Sequence, residues 1–163
     1  MFKPLICLSS LLCLSPGAPS RTASAPYHIT EIRAHLYYQE TGGFDTTDLI
    51  SDTPVALWNT NFGQGNDNAS GATLVLVRVD GNWTSWGTKP HLLVRVEFDS
   101  GGPVLSERNV DLRSLFSERH SVWVPYIVYG TGCGTIRITA TLLDEHALTL
   151  DTLSKTIPFE CGE

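Results

Sequence analysis

The sequence predicts an all-β protein: an antiparallel β-sandwich of about seven strands behind an N-terminal signal peptide. Apolar and polar residues alternate with a period of two along most of the 163-residue chain, as in strands with one buried face. Turn signals rich in Gly, Asp and Pro separate these segments at intervals typical of a sandwich. No long stretch has the spacing of an amphipathic helix.

The first 25 residues resemble a cleavable signal peptide. Lys3 precedes a short apolar run, which Pro16 and Gly17 then end. The run is shorter than the roughly 20 apolar residues that span a bilayer. We therefore expect residues 1–25 to be removed and residues 26–163 to form one secreted or periplasmic domain, with no membrane span after cleavage.

The strands follow from the alternation, in chain order. The second predicted strand is rich in β-branched residues and ends at Asp80-Gly81, a hairpin turn signal. The fifth contains Pro125, which has no backbone N–H, so we expect this strand at a sheet edge or a bulge. The seven predicted strands cover residues 28–38, 72–79, 91–98, 104–110, 122–129, 135–143 and 149–159.

The segment 39–71 is longer than an ordinary connection, and loops of this length are usually functional or disordered. Leu57 and Trp58, in its middle, are expected to attach it to the body of the domain. Its oxygen-bearing side chains are of the type that calcium binds: Asp45, Asp48, Asp52, Asp67 and Asn68. Because the regular spacing of a calcium loop is missing, we interpret the segment as a solvated acidic loop. We predict no metal and no cofactor.

Two of the four cysteines are predicted to form a disulfide. Cys7 and Cys13 lie in the signal peptide, whereas Cys133 and Cys161 flank the last two predicted strands. A hairpin centred near Ala147 places Cys133 opposite Cys161, at a distance that needs only a small adjustment. An exported protein favours a disulfide over two free thiols.

Trp83 and Trp86 lie in the connection between the second and third predicted strands. Tryptophan on a loop can stack on a sugar or anchor a protein partner. The alternative is that the rings fold back and cap the sandwich, and we favour the cap for at least one of them.

Residues 99–103 read Asp-Ser-Gly-Gly-Pro and resemble the nucleophile motif of chymotrypsin-like serine proteases. The resemblance implies a nucleophilic Ser100 served by an earlier histidine, for which His35 is the candidate. The family has a glycine where this chain has Phe98, and it needs a longer chain. The same residues make a good turn between two strands. We therefore predict that Ser100 is a turn residue, that no residue is catalytic and that the protein is not an enzyme.

The strand count, the domain size and the residues of 124–133 and 157–163 resemble immunoglobulin-like or fibronectin-III-like domains of secreted bacterial proteins. The resemblance implies an immunoglobulin-like sandwich with a binding or spacing role. We expect a protein or glycan partner at the cell envelope or outside the cell. The alternatives are a carbohydrate-binding module that uses Trp83 and Trp86, and a small serine hydrolase. The net charge of −6 leaves no basic stripe for nucleic acid.

Overall fold

The computed structural model describes residues 27–50, 57–58, 70–81, 90–113, 120–132 and 134–160. These residues form strands and turns and contain no helix, so none of them belongs to a helix that could cross a membrane. The predicted all-β class is confirmed. The strands are β1 (Tyr27–Tyr38), β2 (Gly43–Phe44), β3 (Leu57–Trp58), β4 (Ala72–Gly81), β5 (His91–Phe98), β6 (Val104–Asp111), β7 (Ser121–Tyr129), β8 (Ile136–Leu143), β9 (Thr149–Ile157) and β10 (Phe159–Glu160).

The long strands form two antiparallel sheets. The first sheet has the order β2-β1-β4-β7, and the second has the order β6-β5-β8-β9. All seven predicted strands are present, with ends within two residues of the prediction. The short strands β3 and β10 pair in parallel through Leu57 with Phe159 and Trp58 with Glu160. This pairing confirms that Leu57 and Trp58 attach the 39–71 segment to the body of the domain.

The core lies between the two sheets and follows from the period of two. Every second residue of β4 and β8 is fully buried, and the residues between them point to the opposite surface. Burial of each such aliphatic side chain contributes about 1.5–3 kcal/mol. The fully buried residues at the centre of the core are Val75, Val77, Val79, Leu92, Val96, Ile136, Ile138 and Leu142.

The sandwich is tied across both of its open sides by polar side chains. On one side, Asp151 of β9 accepts a hydrogen bond from the Ile29 N–H of β1 at 2.7 Å. On the other side, the Tyr126 hydroxyl of β7 donates to the Ser106 hydroxyl of β6. Strand β7 is the edge of the first sheet, as Pro125 predicted, and the proline interrupts the row of N–H groups that another strand could use.

The predicted hairpin of β8 and β9 exists, but its register differs from the prediction by one residue. Ile136 pairs with Ile157, whereas a hairpin centred near Ala147 would place it opposite residue 158. The cause is the turn over residues 144–148, which pairs Leu143 with Thr149, two residues from the predicted partner, and the bulge between Leu142 and Leu143 then reduces the difference to one residue. In that turn the Asp144 carboxylate accepts two backbone N–H bonds, and Ala147 adopts a positive φ of 62°.

The predicted disulfide can be examined only at the residues next to the two cysteines. Cys133 and Cys161 lie outside the described residues. Next to them, the Gly134 N–H donates to the Phe159 carbonyl at 3.0 Å, so the hairpin holds the two chain segments together beyond the last ladder pair. The Cys133–Cys161 disulfide stays a prediction.

The tie from β9 to β1 generates a stability prediction. Replacing Asp151 with alanine leaves the Ile29 N–H without its charged acceptor. Since hydrogen bonds to charged groups contribute about 1.5–3 kcal/mol, we expect a loss of that size in urea denaturation. The control is Glu107→Ala, which removes an exposed ion pair with Arg95 and should cost less than about 1 kcal/mol. Equal losses in the two variants would contradict the proposed role of Asp151.

Candidate binding face on the first sheet

The residues that the sequence singled out for binding or linkage are not described by the structure. Trp83, Trp86, Cys133 and Cys161 all lie outside the described residues, so their roles stay predictions. The predicted signal peptide, residues 1–25, and Asp52, Asp67 and Asn68 of the acidic segment also lie outside the described residues, whereas Ser100, His35, Asp45 and Asp48 are described.

Ser100 lies in the turn between β5 and β6. It is exposed, and Gly101 next to it adopts a positive φ of 79°, which a glycine tolerates at no steric cost. The Asp99 N–H donates to the Thr135 carbonyl at 2.8 Å, and the Asp99 carboxylate pairs with Arg137. Among the described residues, no hydrogen bond joins Ser100 to a histidine or a carboxylate. The prediction that Ser100 is a turn residue is confirmed.

The first part of the acidic segment wraps the end of β1. Asp45 accepts hydrogen bonds from the Thr47 N–H at 2.8 Å and the Tyr38 hydroxyl at 2.9 Å. Asp48 accepts bonds from the N–H groups of Ala34 and Ile50 at 3.0 and 3.1 Å. Both carboxylates therefore organise their own loop. In the described part of the chain, no three His, Cys, Asp or Glu side chains are grouped to hold a metal ion.

The environment of Asp45 lowers its pKa below the ordinary value. Partial burial opposes ionisation, but hydrogen bonds from the Thr47 backbone and hydroxyl and from Tyr38 outweigh it, with a smaller contribution from His35. His35 is only 8% exposed, and its Nδ1 lies 2.9 Å from the Thr47 carbonyl oxygen. The His35 ring also lies 6.0 Å from the Phe44 ring. The loop therefore covers His35 and fixes Phe44 at the surface.

The outer surface of the first sheet carries an unusual set of side chains. Directly opposed residues of an antiparallel pair share a face, and the ladders oppose Leu74 to His35 and Ile127. Leu74, Leu76 and Ile127 are partly exposed, whereas Tyr129 is 62% and Phe44 is 56% exposed. We define the apolar face by Tyr37, Phe44, Leu74, Leu76, Pro125, Ile127 and Tyr129.

A polar cluster borders the apolar face on the same sheet. The Arg33 guanidinium lies 4.8 Å from the centre of the Trp123 ring and pairs with Glu31 at 2.6 Å. Arg78 bonds to Asp80 at 3.0 Å and to the Ser121 hydroxyl at 2.9 Å.

These contacts also shift the pKa values of Asp80 and Arg33. Partial burial opposes ionisation of Asp80, but hydrogen bonds from Ser121, Arg78 and Thr30 lower its pKa overall. The bond to Glu31 raises the pKa of Arg33. Asp80 and Arg33 therefore supply charges of opposite sign beside the apolar face at neutral pH.

The outer surface of the second sheet provides an internal comparison. It carries ion pairs in which Arg95 contacts Glu97 at 2.9 Å and Glu107 at 3.1 Å. Around them lie the apolar Leu93, Leu143 and Val104, the last 41% exposed, and a larger number of polar side chains: Asn109, Arg137, Thr139, Thr141, Thr152, Ser154 and Thr156. A sandwich sheet normally alternates apolar residues inside with polar residues outside. The second sheet follows this rule, and the first sheet departs from it.

The sequence contained a signal for the apolar face that the strand assignment did not use. Residues 74–77 read Leu-Val-Leu-Val, an unbroken apolar run instead of an alternation. Such a run is typical of a strand that is apolar on both faces. In a two-layer sandwich only one of those faces reaches the core, so the run implied an apolar patch on the outside.

The apolar face covers only part of the area that a stable protein interface needs. It spans three strands about 4.8 Å apart and about five residues at about 3.4 Å each, roughly 200 Å² before side chains are added. A stable interface buries about 800 Å² on each partner, with an apolar centre and a polar rim. The polar cluster and the loop around Phe44 are placed to form that rim.

The comparisons with known proteins identify no family. No protein-family model matches the chain, and no curated protein matches it. Among solved structures, the chain is similar to Bifidobacterium dentium β-glucuronidase complexed with coumarin-3-O-glucuronide, with 12% sequence identity and a TM-score of 0.41. The similarity covers 83% of this chain and only 18% of the enzyme chain. A likeness this weak shows neither a shared fold nor a shared activity.

The Asp45 contacts generate a prediction about pH. A carboxylate with a lowered pKa stabilises the fold above its unfolded pKa of about 3.9, and this contribution is lost as pH falls through the folded value. We therefore expect Asp45→Asn to lower the urea midpoint at pH 7, and we expect the difference in midpoint from the wild type to narrow as the pH falls below about 3.9. The control is Glu40→Gln, in the same loop, whose exposed carboxylate makes no hydrogen bond among the described residues. An unchanged gap for Asp45→Asn across this range would contradict the proposed role of the Asp45 bonds.

Proposed function

We propose that the chain is an exported, non-enzymatic β-sandwich protein that binds a protein partner through the apolar face, at the cell envelope or outside the cell. The observation that carries the proposal is the difference between the two outer surfaces of one sandwich. The second sheet carries mainly ion pairs and hydroxyls, with Leu93, Leu143 and Val104 among them, while the first exposes Tyr129, Phe44 and the aliphatic residues between them. An exposed apolar patch with a polar rim is typical of an interaction site.

The composition of the apolar face favours a protein over a glycan. Its centre is aliphatic, with Leu74, Leu76 and Ile127, and these side chains offer neither a flat π-surface nor hydrogen bonds to sugar hydroxyls, although the rings of Tyr37, Phe44 and Tyr129 lie on the same face. The Trp123 ring beside it is already occupied by the Arg33 guanidinium. Tyrosine, tryptophan, phenylalanine and arginine are the residues enriched in protein interfaces.

The partner is expected to dock on the face and not to extend the sheet. At the edge beside the face, Pro125 interrupts the hydrogen-bonding groups of β7, so a partner strand cannot add there as a regular ladder. Side chains of Pro125, Ile127 and Tyr129 instead point to the outer surface, where they are available to a facing partner.

We further propose that the sandwich is immunoglobulin-like. Counting only the long strands, the first, second and fifth (β1, β4 and β7) share one sheet. The third, sixth and seventh (β5, β8 and β9) share the other, as in immunoglobulin domains. The fourth, β6, lies beside β5, as an added strand does in variable-type domains. Since this architecture hosts many functions, it supports a binding role only together with the apolar face.

A site-specific crosslinking experiment tests the proposed function. A photo-crosslinking amino acid at position 129 is expected to capture a defined protein from the exported fraction, whereas one at position 141, on the polar outer surface, is not. With that partner purified, we expect Ile127→Ser/Tyr129→Ser to weaken binding about tenfold to hundredfold, the loss typical of interface hot spots. Arg95→Ala/Glu107→Ala on the second sheet is the matched control and should leave the affinity unchanged.

Two outcomes would contradict the proposal. Equal crosslinking from positions 129 and 141 would show that the first sheet has no special role. Binding of purified protein to glycans on an array, lost in Trp83→Ala/Trp86→Ala and kept in Ile127→Ser/Tyr129→Ser, would establish the carbohydrate-binding alternative. Labelling of Ser100 by a fluorophosphonate probe, abolished in Ser100→Ala, would instead show a hydrolase.

A further inference from the structure

A groove separates the facing edges of β1 and β9, on the side of the sandwich that Asp151 ties. The two edge strands lie close together, but no ladder of hydrogen bonds joins them. Two adjacent cavities of about 260 and 390 Å³ lie along this side and share Ile50 and Lys155. Their lining residues are Thr30, Glu31, Ile32, Asp48, Leu153, Arg137, Ser154 and Thr156.

Both ends of the β1 edge are closed by carboxylates. At one end, Asp151 accepts the Ile29 N–H at 2.7 Å. At the other, Asp48 accepts the Ala34 N–H at 3.0 Å, and the Leu49 N–H donates to the Ala34 carbonyl at 2.8 Å. The edge between these two ties is bordered by the smaller cavity.

Between the bonded residues Ile29 and Ala34, Ile32 is the position on the β1 edge whose backbone groups these bonds do not use. The backbone groups of a strand face alternate sides, so Ile32 faces the same edge as Ala34. The bulge between Ile29 and Glu31 adds one residue, which is why Ile29 shares this edge as well. Among the described residues, none bonds to the Ile32 N–H or C=O from that side. Strand edges left open in this way are the sites at which extended peptides add.

The charges around the groove select the ligand. Glu31 pairs with Arg33 and Arg137 pairs with Asp99, whereas Asp48 and Asp151 accept backbone N–H bonds and keep their negative charges. Lys155 makes no ion pair with any described residue. Lys155 lies opposite Ile138 and Asp151 opposite Leu142, so both face inward from the edge strand towards the groove. The cation left to a ligand is therefore Lys155.

We propose that this groove binds an extended peptide segment that carries a carboxylate. The peptide backbone pairs with the Ile32 N–H and C=O, an apolar side chain packs against Ile50 and Leu153, and the carboxylate contacts Lys155. Because Ile29 is already bonded to Asp151, and Ala34 to Asp48 and Leu49, the peptide pairs with the edge through one residue at Ile32, and its flanking residues extend along the two cavities. This site is separate from the apolar face and does not depend on the function proposed for that face.

The free protein provides a first test by hydrogen exchange. The amide protons of Ile29 and Ala34 have carboxylate acceptors, so we expect them to exchange slowly in NMR measurements. The Ile32 amide should exchange much faster, although its side chain is buried in the core. Equal protection of the Ile32 and Ala34 amides would show that the edge is already occupied, and this would overturn the proposal.

Peptide titrations provide the second test. The probes are pentapeptides with blocked termini, built from threonine and other β-branched residues around a central glutamate. They are compared with the same peptides carrying glutamine at the central position. We expect the glutamate peptides to bind about tenfold more tightly, to shift the amide resonances of Ile32 and Leu153, and to protect the Ile32 amide from exchange. Lys155→Glu should remove the preference for glutamate.

The matched control is Arg108→Glu. Arg108 is an exposed cation on β6, the edge strand on the other side of the second sheet, and it too lies opposite an inward residue, Val94. It borders neither cavity, so this variant should keep the preference for glutamate. An inward cation on an edge strand also protects against aggregation. If that were the whole role of Lys155, the two peptides would bind equally or not at all at millimolar concentration, and the proposal would fail.

Discussion

The constraint on which the structure depends is that a two-layer sandwich buries only one face of each sheet. Strands β4 and β8 place every second side chain between the layers, and those side chains are fully excluded from solvent. This burial supplies most of the stabilising free energy. It also leaves each sheet with an outer surface that the core does not require, so the residues found there reflect other demands.

The outer surfaces of the two sheets carry different kinds of side chains. On the second sheet, Arg95 bridges Glu97 and Glu107, which keeps the surface soluble and contributes little stability. On the first sheet, Leu74, Leu76 and Ile127 are partly exposed and are not part of the core cluster between the sheets. The edges of strands β7 and β1 are both partly blocked against pairing with another strand. Pro125 interrupts β7, and carboxylates close β1 at Ile29 and Ala34, which leaves Ile32 as the open position.

The sequence was sufficient to predict the fold class and the seven long strands, because period-two alternation and Gly/Asp/Pro turns are local signals. It also predicted the edge position of β7, since a proline without an N–H has few other places in a sheet. The register of β8 with β9 was wrong by one residue. The pairing beside the turn depends on how the Asp144 carboxylate closes it, and no local pattern records that closure or the bulge at Leu142/Leu143.

The candidate site was only partly accessible from the sequence. The Leu-Val-Leu-Val run of β4 signalled two apolar faces, but the run alone could not identify which neighbours would share the outer one. Ile127 and Tyr129 join Leu74 through the ladder between β4 and β7, a long-range pairing. The roles of Asp48 and Asp151 at the β1 edge likewise depend on contacts between residues far apart in the chain.

The most direct test of the account is to compare the two faces of β4 in one stability experiment. Leu74→Thr/Leu76→Thr changes the outer face, and Val75→Thr/Val77→Thr changes the inner face of the same strand with a residue of good β-propensity. Urea denaturation should show that the outer variant stays within about 1 kcal/mol of the wild type, whereas the inner variant loses several kcal/mol because it buries hydroxyl groups without partners. Similar losses in both variants would show that Leu74 and Leu76 serve folding, and would contradict the assignment of the apolar face to binding.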